Sequence, residues 1–200
     1  EMSASLVGSE MCIRDRHTGA KRLIGRSYRT APKWSVNGKW AVMYDPIAQV
    51  WNKFDGATGK VVNISDAIGY PMFMESYDKP APAPAYGIAG WTADGNNVFL
   101  YDAYDWWKTD LTGERQPECL TKGYGRKHGK SIRKMTSNID KDVFQKDEKV
   151  IVSLWDKDTM DEGVYQLDMK GRLRKLMEGN YVYTIPVSYT HLRAHETSAH

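Results

Sequence analysis

Two stretches of this chain repeat one plan. Trp34-Ser35-Val36-Asn37-Gly38-Lys39 leads into Trp40-Ala41-Val42-Met43-Tyr44-Asp45, and Trp91-Thr92-Ala93-Asp94-Gly95-Asn96 leads into Asn97-Val98-Phe99-Leu100-Tyr101-Asp102. Each sets an aromatic and a small hydroxyl residue before an Asn-Gly or Asp-Gly dipeptide, which tolerates the positive φ of a tight hairpin turn. The β-branched and aromatic run that follows reads as a strand. Asp147-Glu148-Lys149 before Val150-Ile151-Val152-Ser153-Leu154 is a degenerate third copy.

A second hairpin follows each copy. Trp51-Asn52-Lys53-Phe54-Asp55 precedes Thr58-Gly59-Lys60, Trp107-Lys108-Thr109-Asp110 precedes Thr112-Gly113-Glu114, and Tyr165-Gln166-Leu167-Asp168 precedes Lys170-Gly171-Arg172. Return strands follow at Val61-Val62-Asn63-Ile64 and Leu173-Arg174-Lys175-Leu176, and Thr18-Gly19-Ala20-Lys21-Arg22-Leu23-Ile24 is the tail of one more copy. Gly59, Gly113 and Gly171 set a period of about 55 residues, and two hairpins per period make a four-stranded propeller blade. An antiparallel sandwich with coincidental turns would not repeat two turn motifs in the same order. The expected fold is therefore all-β, a partial, open β-propeller of about three four-stranded antiparallel blades. Its first and last blades are expected to present apolar faces, with Trp34, Trp40, Val42, Trp91, Val98, Leu100, Val150 and Val152 supplying the surface.

The ends obey a different logic. Leu6 to Asp15 (LVGSEMCIRD) and Val187 to Glu196 (VSYTHLRAHE) can be encoded by the two strands of one DNA duplex. No folding requirement produces such a relation, whereas a library adapter joined to both ends of an insert does. Residues 1–16 and 187–200 are accordingly read as adapter-derived scars without ordered structure, and 17–186 as the partial propeller.

The scar reading bears on the one metal-like pattern. His191 and His195 stand four apart, with Glu196 next and His200 last. On a helix this spacing puts both imidazoles on one face, but a zincin needs Glu directly after the first His, and Leu192 stands there. No metal, cofactor or catalytic site is expected. Outside the scars one cysteine remains, Cys119, so no internal disulfide forms. The formal charge of +3 is too small to argue for nucleic acid, and no apolar run is long enough to cross a bilayer. Aromatic residues make up 12% of the chain, which suits a β-rich domain rather than disorder.

Two segments break the repeat. Ile68 to Tyr86 holds Pro71, Pro80, Pro82 and Pro84 and reads as a long extended loop between blades. Lys122 to Lys134 holds Arg126, Lys127, His128, Lys130, Arg133 and Lys134 with three glycines. It could bind an anion or nucleic acid, but only Tyr124 offers a stacking face, and a solvated loop beside Asp140 and Asp142 accounts for it better.

Tyr86-Gly87-Ile88-Ala89-Gly90-Trp91-Thr92, Tyr101-Asp102-Ala103-Tyr104-Asp105-Trp106-Trp107 and Leu120-Thr121-Lys122-Gly123-Tyr124-Gly125-Arg126-Lys127 resemble the N-terminal β-propeller of prolyl-oligopeptidase-family (S9) serine peptidases, bacterial dipeptidyl and acylaminoacyl types above all. The resemblance implies a parent hydrolase in which the propeller gates peptide access to a C-terminal α/β-hydrolase domain, and an exported, periplasmic location. That domain carries its Ser in a G-x-S-x-G elbow, followed by Asp and His. None of it is present here. Ser131 in His128-Gly129-Lys130-Ser131-Ile132 lacks the second Gly, and His17 and His128 do not follow a nucleophile and an acid in order. This chain is expected to carry part of the gate and no chemistry. Its implied partners are the hydrolase domain and peptide substrates, with no nucleic acid and no membrane segment. No motif places Glu75 or Glu114 on a substrate N-terminus. The alternative is a stand-alone binding propeller of the TolB or WD40 kind, which Trp155-Asp156 echoes without the usual Gly-His pair.

Overall fold

The computed structural model describes residues 2–7, 10–15, 19, 21–26, 31–135, 142–179 and 183. Strands β1 (Met2–Val7), β2 (Glu10–Asp15) and β3 (Lys21–Arg26) form a three-stranded sheet. Blade 1 follows as β4 (Lys33–Trp34), β5 (Trp40–Asp45), β6 (Val50–Asp55) and β7 (Val61–Asn63), paired in that order. Blade 2 is β8 (Ile88–Thr92), β9 (Asn97–Tyr101), β10 (Trp106–Asp110) and β11 (Glu118–Cys119). A four-residue helix, α1 (Tyr124–Lys127), leads into β12 (Lys130–Lys134). The remaining strands are β13 (Val143–Phe144), β14 (Lys149–Asp156), β15 (Glu162–Asp168) and β16 (Leu173–Gly179). Blade 3 pairs β12, β14, β15 and β16, and β13 joins blade 2 beside β8. Among the described strands no ladder returns from blade 3 to blade 1, so the chain is an open arc of antiparallel blades.

Turn chemistry explains the repeat. In blade 1 the Ser35 hydroxyl accepts from Trp40 N at 3.1 Å and donates to Asn37 Oδ1 at 2.8 Å, with Gly38 at φ 69. In blade 2 the Thr92 hydroxyl accepts from Asn97 N at 3.0 Å and donates to Asp94 Oδ1 at 2.5 Å, with Gly95 at φ 68. The two turns touch through Asn37 Nδ2, which donates to Asp94 O at 2.9 Å. A Cβ on Gly95 would stand 2.8 Å from Asn37, so glycine serves both the turn and the contact. The third copy, Phe144-Gln145-Lys146-Asp147-Glu148, lacks the hydroxyl and the Asn-Gly or Asp-Gly pair. Without that hairpin Val143–Phe144 leaves its own blade and pairs in parallel with Trp91 and Thr92. Gly90 permits the approach, since a Cβ there would lie 2.5 Å from the Phe144 ring.

Strand-ending aspartates close the other turns. Asp45, Asp55, Asp102, Asp156 and Asp168 each accept two backbone N–H bonds from the residues that follow. Such bonds offer the backbone a ready-made turn. They also favour the ionised carboxyl. The Thr58 N–H holds Asp55 below its ordinary range, and the Asp158 and Arg172 N–H groups do the same for Asp156 and Asp168.

The cores lie between blades. Trp40, Val42, Tyr44 and Trp51 from blade 1 meet Trp91, Val98 and Leu100 from blade 2. Ala89, Phe99, Tyr101 and Trp106 from blade 2 meet Ile132, Val152, Leu154, Tyr165 and Leu167 from blade 3. Neighbours along β9 thus point into different cores, because side chains alternate across a strand. Each blade presents an aromatic just before its turn aspartate: Tyr44 is 5% exposed, Tyr101 8%, and Trp155, with no blade beyond it among the described residues, 40%.

Three expectations change. Residues 2–7 and 10–15 are not without structure: β1 pairs with β2 and β2 with β3, whose edge donors and acceptors take partners wherever a chain offers them. Residues 187–200 lie outside the described residues. Blade 1 has no bare face, since Ala41, Met43 and Phe54 on its far side are 0–2% exposed. Most of the apolar residues expected on bare faces (Trp40, Val42, Trp91, Val98, Leu100, Val152) are buried between blades instead. Finally, Lys130–Lys134 is an edge strand of blade 3 rather than loop, with Ser131 and Ile132 buried.

Trp106 is 0% exposed and its indole donates to Ile132 O at 3.2 Å. Trp106→Ala should destabilise by about 3–5 kcal/mol in urea unfolding. Trp155→Ala should stay within about 0.5 kcal/mol and reduce self-association in sedimentation. Equal losses from the two variants would refute the assignment of a covered and an uncovered blade face.

Candidate functional site

An apolar cavity lies between blade 1 and the proline-rich segment. That segment folds back as a strap: Met74 N donates to Pro84 O at 2.9 Å, Tyr86 N to Met72 O at 3.1 Å, and Phe73 bridges Ala85. Prolines donate nothing to a ladder, so the strap lies over the blade rather than joining it. Tyr44 and Trp51 stand opposite each other on β5 and β6, with ring centroids 5.4 Å apart. The Tyr44 hydroxyl donates to Ala83 O at 3.3 Å. Burial, then the Asp45 charge, pushes that hydroxyl up to about 12, so it remains a neutral donor at neutral pH. Beneath the strap is a cavity of about 240 Å³ lined by Val42, Tyr44, Trp51, Tyr77, Pro82 and Ile88, with Lys33 also on its wall. Trp51 Nε1 is buried with no acceptor among the described residues. Apolar walls with a few fixed donors suit recognition by shape.

A polar knot fixes blade 2 against blade 3. Asp102 is fully buried: its Oδ1 accepts from Tyr104 N and Asp105 N, its Oδ2 from Trp107 Nε1 at 3.0 Å and Arg126 Nη2 at 2.9 Å. Asp105, 1% exposed, accepts from the Thr121 hydroxyl, Gly125 N and Arg126 N. Arg126 lies over Tyr70 at 3.8 Å. Burial opposes its charge, but the bond to Asp102 and that carboxylate's charge outweigh it and hold the guanidinium above its ordinary value. Arg133 donates to the carbonyls of Ile132, Asp102 and Ala103, and its burial lowers its pKa. The knot's carboxylates are occupied by donors of the protein itself, which suits a brace and not a general base.

The basic segment divides accordingly. Arg126 and Arg133 belong to the knot, Lys130 pairs with Glu178 at 2.5 Å, and Lys134 pairs with Asp142 at 2.6 Å. The His128 and Tyr124 rings lie against each other, tilted by 39° with centroids 4.4 Å apart. Ser131 is buried inside β12, far from any elbow geometry. Burial raises the Cys119 thiol, which accepts from Gly123 N, so it is a poor nucleophile. Glu75 is exposed in the strap, and Glu114 is exposed in the turn after β10, donating its N–H to Asp110. His17, His191, His195, Glu196 and His200 lie outside the described residues. Among those described, no three His, Cys, Asp or Glu side chains cluster as a metal site, and no helix is long and apolar enough to cross a membrane.

Sequence reasoning missed both the knot and the cavity. The knot had a signal: Asp105 has no counterpart in the turn Asp45-Pro46-Ile47-Ala48-Gln49, and a departure from a repeat marks a local duty. The cavity had none, because it depends on how the strap lies across blade 1.

No family model matches this chain, and no curated protein matches it. Among solved structures, TolB from Acinetobacter baumannii is similar, at 13% identity with a TM-score of 0.40, over 85% of this chain and 48% of that one. The chain thus spans about half the length of that structure.

Asp102→Asn turns an NH₂ group toward the Arg126 and Trp107 donors. Breaking this buried set should cost roughly 3 kcal/mol in urea unfolding; a loss below about 1 kcal/mol would show that the knot does not brace the blades. Glu178 gives the pH prediction. The bond from Lys130, then that from Lys175, lowers its carboxyl to about 2. Its contribution is complete above the ordinary glutamate range and fades as pH falls from about 5 to 2. Glu178→Gln should flatten the acid-side decline in melting temperature, and an unchanged slope would assign that decline to other groups.

Proposed function

We propose that these blades act as a non-catalytic β-propeller scaffold that binds extended peptide segments. The observation that carries this is the cleft under the strap. There Tyr44 and Trp51 already receive a proline-rich segment of the chain itself, one hydroxyl meeting one backbone carbonyl. Aromatic grooves recognise such segments by these means, with pockets for side chains and a donor for the backbone. The buried acids and arginines are consumed in bracing, which supports binding without chemistry.

A second reading rests on the resemblance carried by Tyr86–Thr92, Tyr101–Trp107 and Leu120–Lys127: the blades would belong to the gate of an S9-type serine peptidase and act in an exported protein. Both readings assign binding to these blades, and only the second adds bond cleavage, in a separate domain. Reading the coding sequence beyond Pro186 separates them, since only the second requires an α/β-hydrolase region with a G-x-S-x-G elbow.

Short peptides, some containing proline, should shift the intrinsic tryptophan fluorescence of the purified chain and return intact by mass spectrometry after prolonged incubation. Cleavage that persists through repurification would end the scaffold reading.

A further inference from the structure

The cleft under the strap has a charge as well as an apolar floor. Lys33 of β4 is exposed and lines it. Unlike Lys53, Lys130 and Lys134, which hold a carbonyl or a carboxylate, Lys33 has no partner among the described residues. Glu75 and Asp78 of the strap do not line the cleft, so no acid of the strap neutralises it there. The floor is Val42, Tyr44, Trp51 and Ile88, and the volume is about 240 Å³. An apolar cavity of roughly 150 Å³ holds benzene, so this one holds a phenyl ring with a short chain. An unpaired cation beside a ring-sized apolar space complements a ligand with an apolar body and one negative oxygen group.

We infer that the cleft binds a carboxylate bearing an apolar group, with the apolar group against Tyr44, Trp51 and Ile88 and the carboxylate on Lys33. The carboxylate can be that of a free aryl or alkyl acid, or the C-terminus of an extended peptide whose last residue is apolar. The inference deepens the scaffold reading and rests on it for the peptide source alone.

The test compares acid with amide on the full chain by calorimetry. 4-Phenylbutyrate should bind more tightly than 4-phenylbutyramide by roughly two- to fivefold, the range of an exposed ion pair. Acetyl-Ala-Ala-Phe should show the same preference over its C-terminal amide. Lys33→Gln, at an exposed edge position, should close both gaps while leaving the circular dichroism unchanged. Ile88→Trp should fill the space and abolish binding, and retention of the native spectrum certifies that variant. If the free acid binds through Lys33 and the peptide does not, the inference stands and the scaffold reading falls. If the peptide binds regardless of its carboxylate, the scaffold reading stands and the inference falls. Equal affinity of acid and amide, or a gap that survives Lys33→Gln, overturns the inference.

Discussion

Everything in this arc depends on the apolar contact between neighbouring blades. A blade alone is a small twisted sheet with two faces to bury, and it can bury them only against other blades. The middle strand β9 shows the demand most plainly. Val98 and Leu100 go to one neighbour, Phe99 and Tyr101 to the other, and all four are nearly or fully buried. A shift of one residue in its pairing would exchange these sets and set ring against ring where an aliphatic chain fits. Few direct polar ties cross the first junction. Lys53 Nζ reaching Leu111 O at 2.5 Å is one and Asn37 reaching Asp94 O is another. The second junction adds the buried acids and arginines. Apolar area therefore supplies the attraction, and the polar ties fix how one sheet sits on the next.

Much of this was legible in the chain because the same local chemistry is written several times. The hydroxyl, the Asn-Gly or Asp-Gly pair and the strand-ending aspartates each act within a few residues, so their spacing in sequence is their spacing in space. The third copy was legible as degenerate, and it is there that the strand leaves its blade. What could not be read was where the displaced strand goes. Nothing local in Val143-Phe144 specifies the edge of β8; the missing Cβ of Gly90, more than fifty residues earlier, makes that edge approachable. The strands of residues 2–7 and 10–15 were likewise hidden, because an open strand edge recruits whatever backbone lies within reach, whatever the origin of that backbone.

The candidate site followed the opposite rule. The basic run from Arg126 to Lys134 looked like one surface feature, but its members have different fates: two arginines are drawn inward, two lysines pair with acids, and the histidine lies on a tyrosine. Charge counted along the sequence does not reveal partners contributed by other strands. The cavity is a more complete case. Its walls come from residues as far apart as Lys33 and Ile88, and only the strap's path over blade 1 brings them together. Its chemistry was written in residue types that, read singly, announce only a core.

The displaced strand β13 also changes how the arc can come apart. In a simple stack of repeats, stability is a sum of units and nearest-neighbour contacts, and an end unit can melt alone. Here the chain runs from β12 in blade 3 to β13 in blade 2 and back to β14 in blade 3. Trp91 N and Ala93 N donate to Asp142 O and Phe144 O across the junction, and the Phe144 ring packs within 6.3 Å of Phe99 and Trp106. Blade 3 cannot detach while β13 keeps its place, and β13 cannot leave without exposing the heart of the second core. Blades 2 and 3 are a clasped pair, a single cooperative unit of opening, and the seam along which the molecule can part lies between them and blade 1.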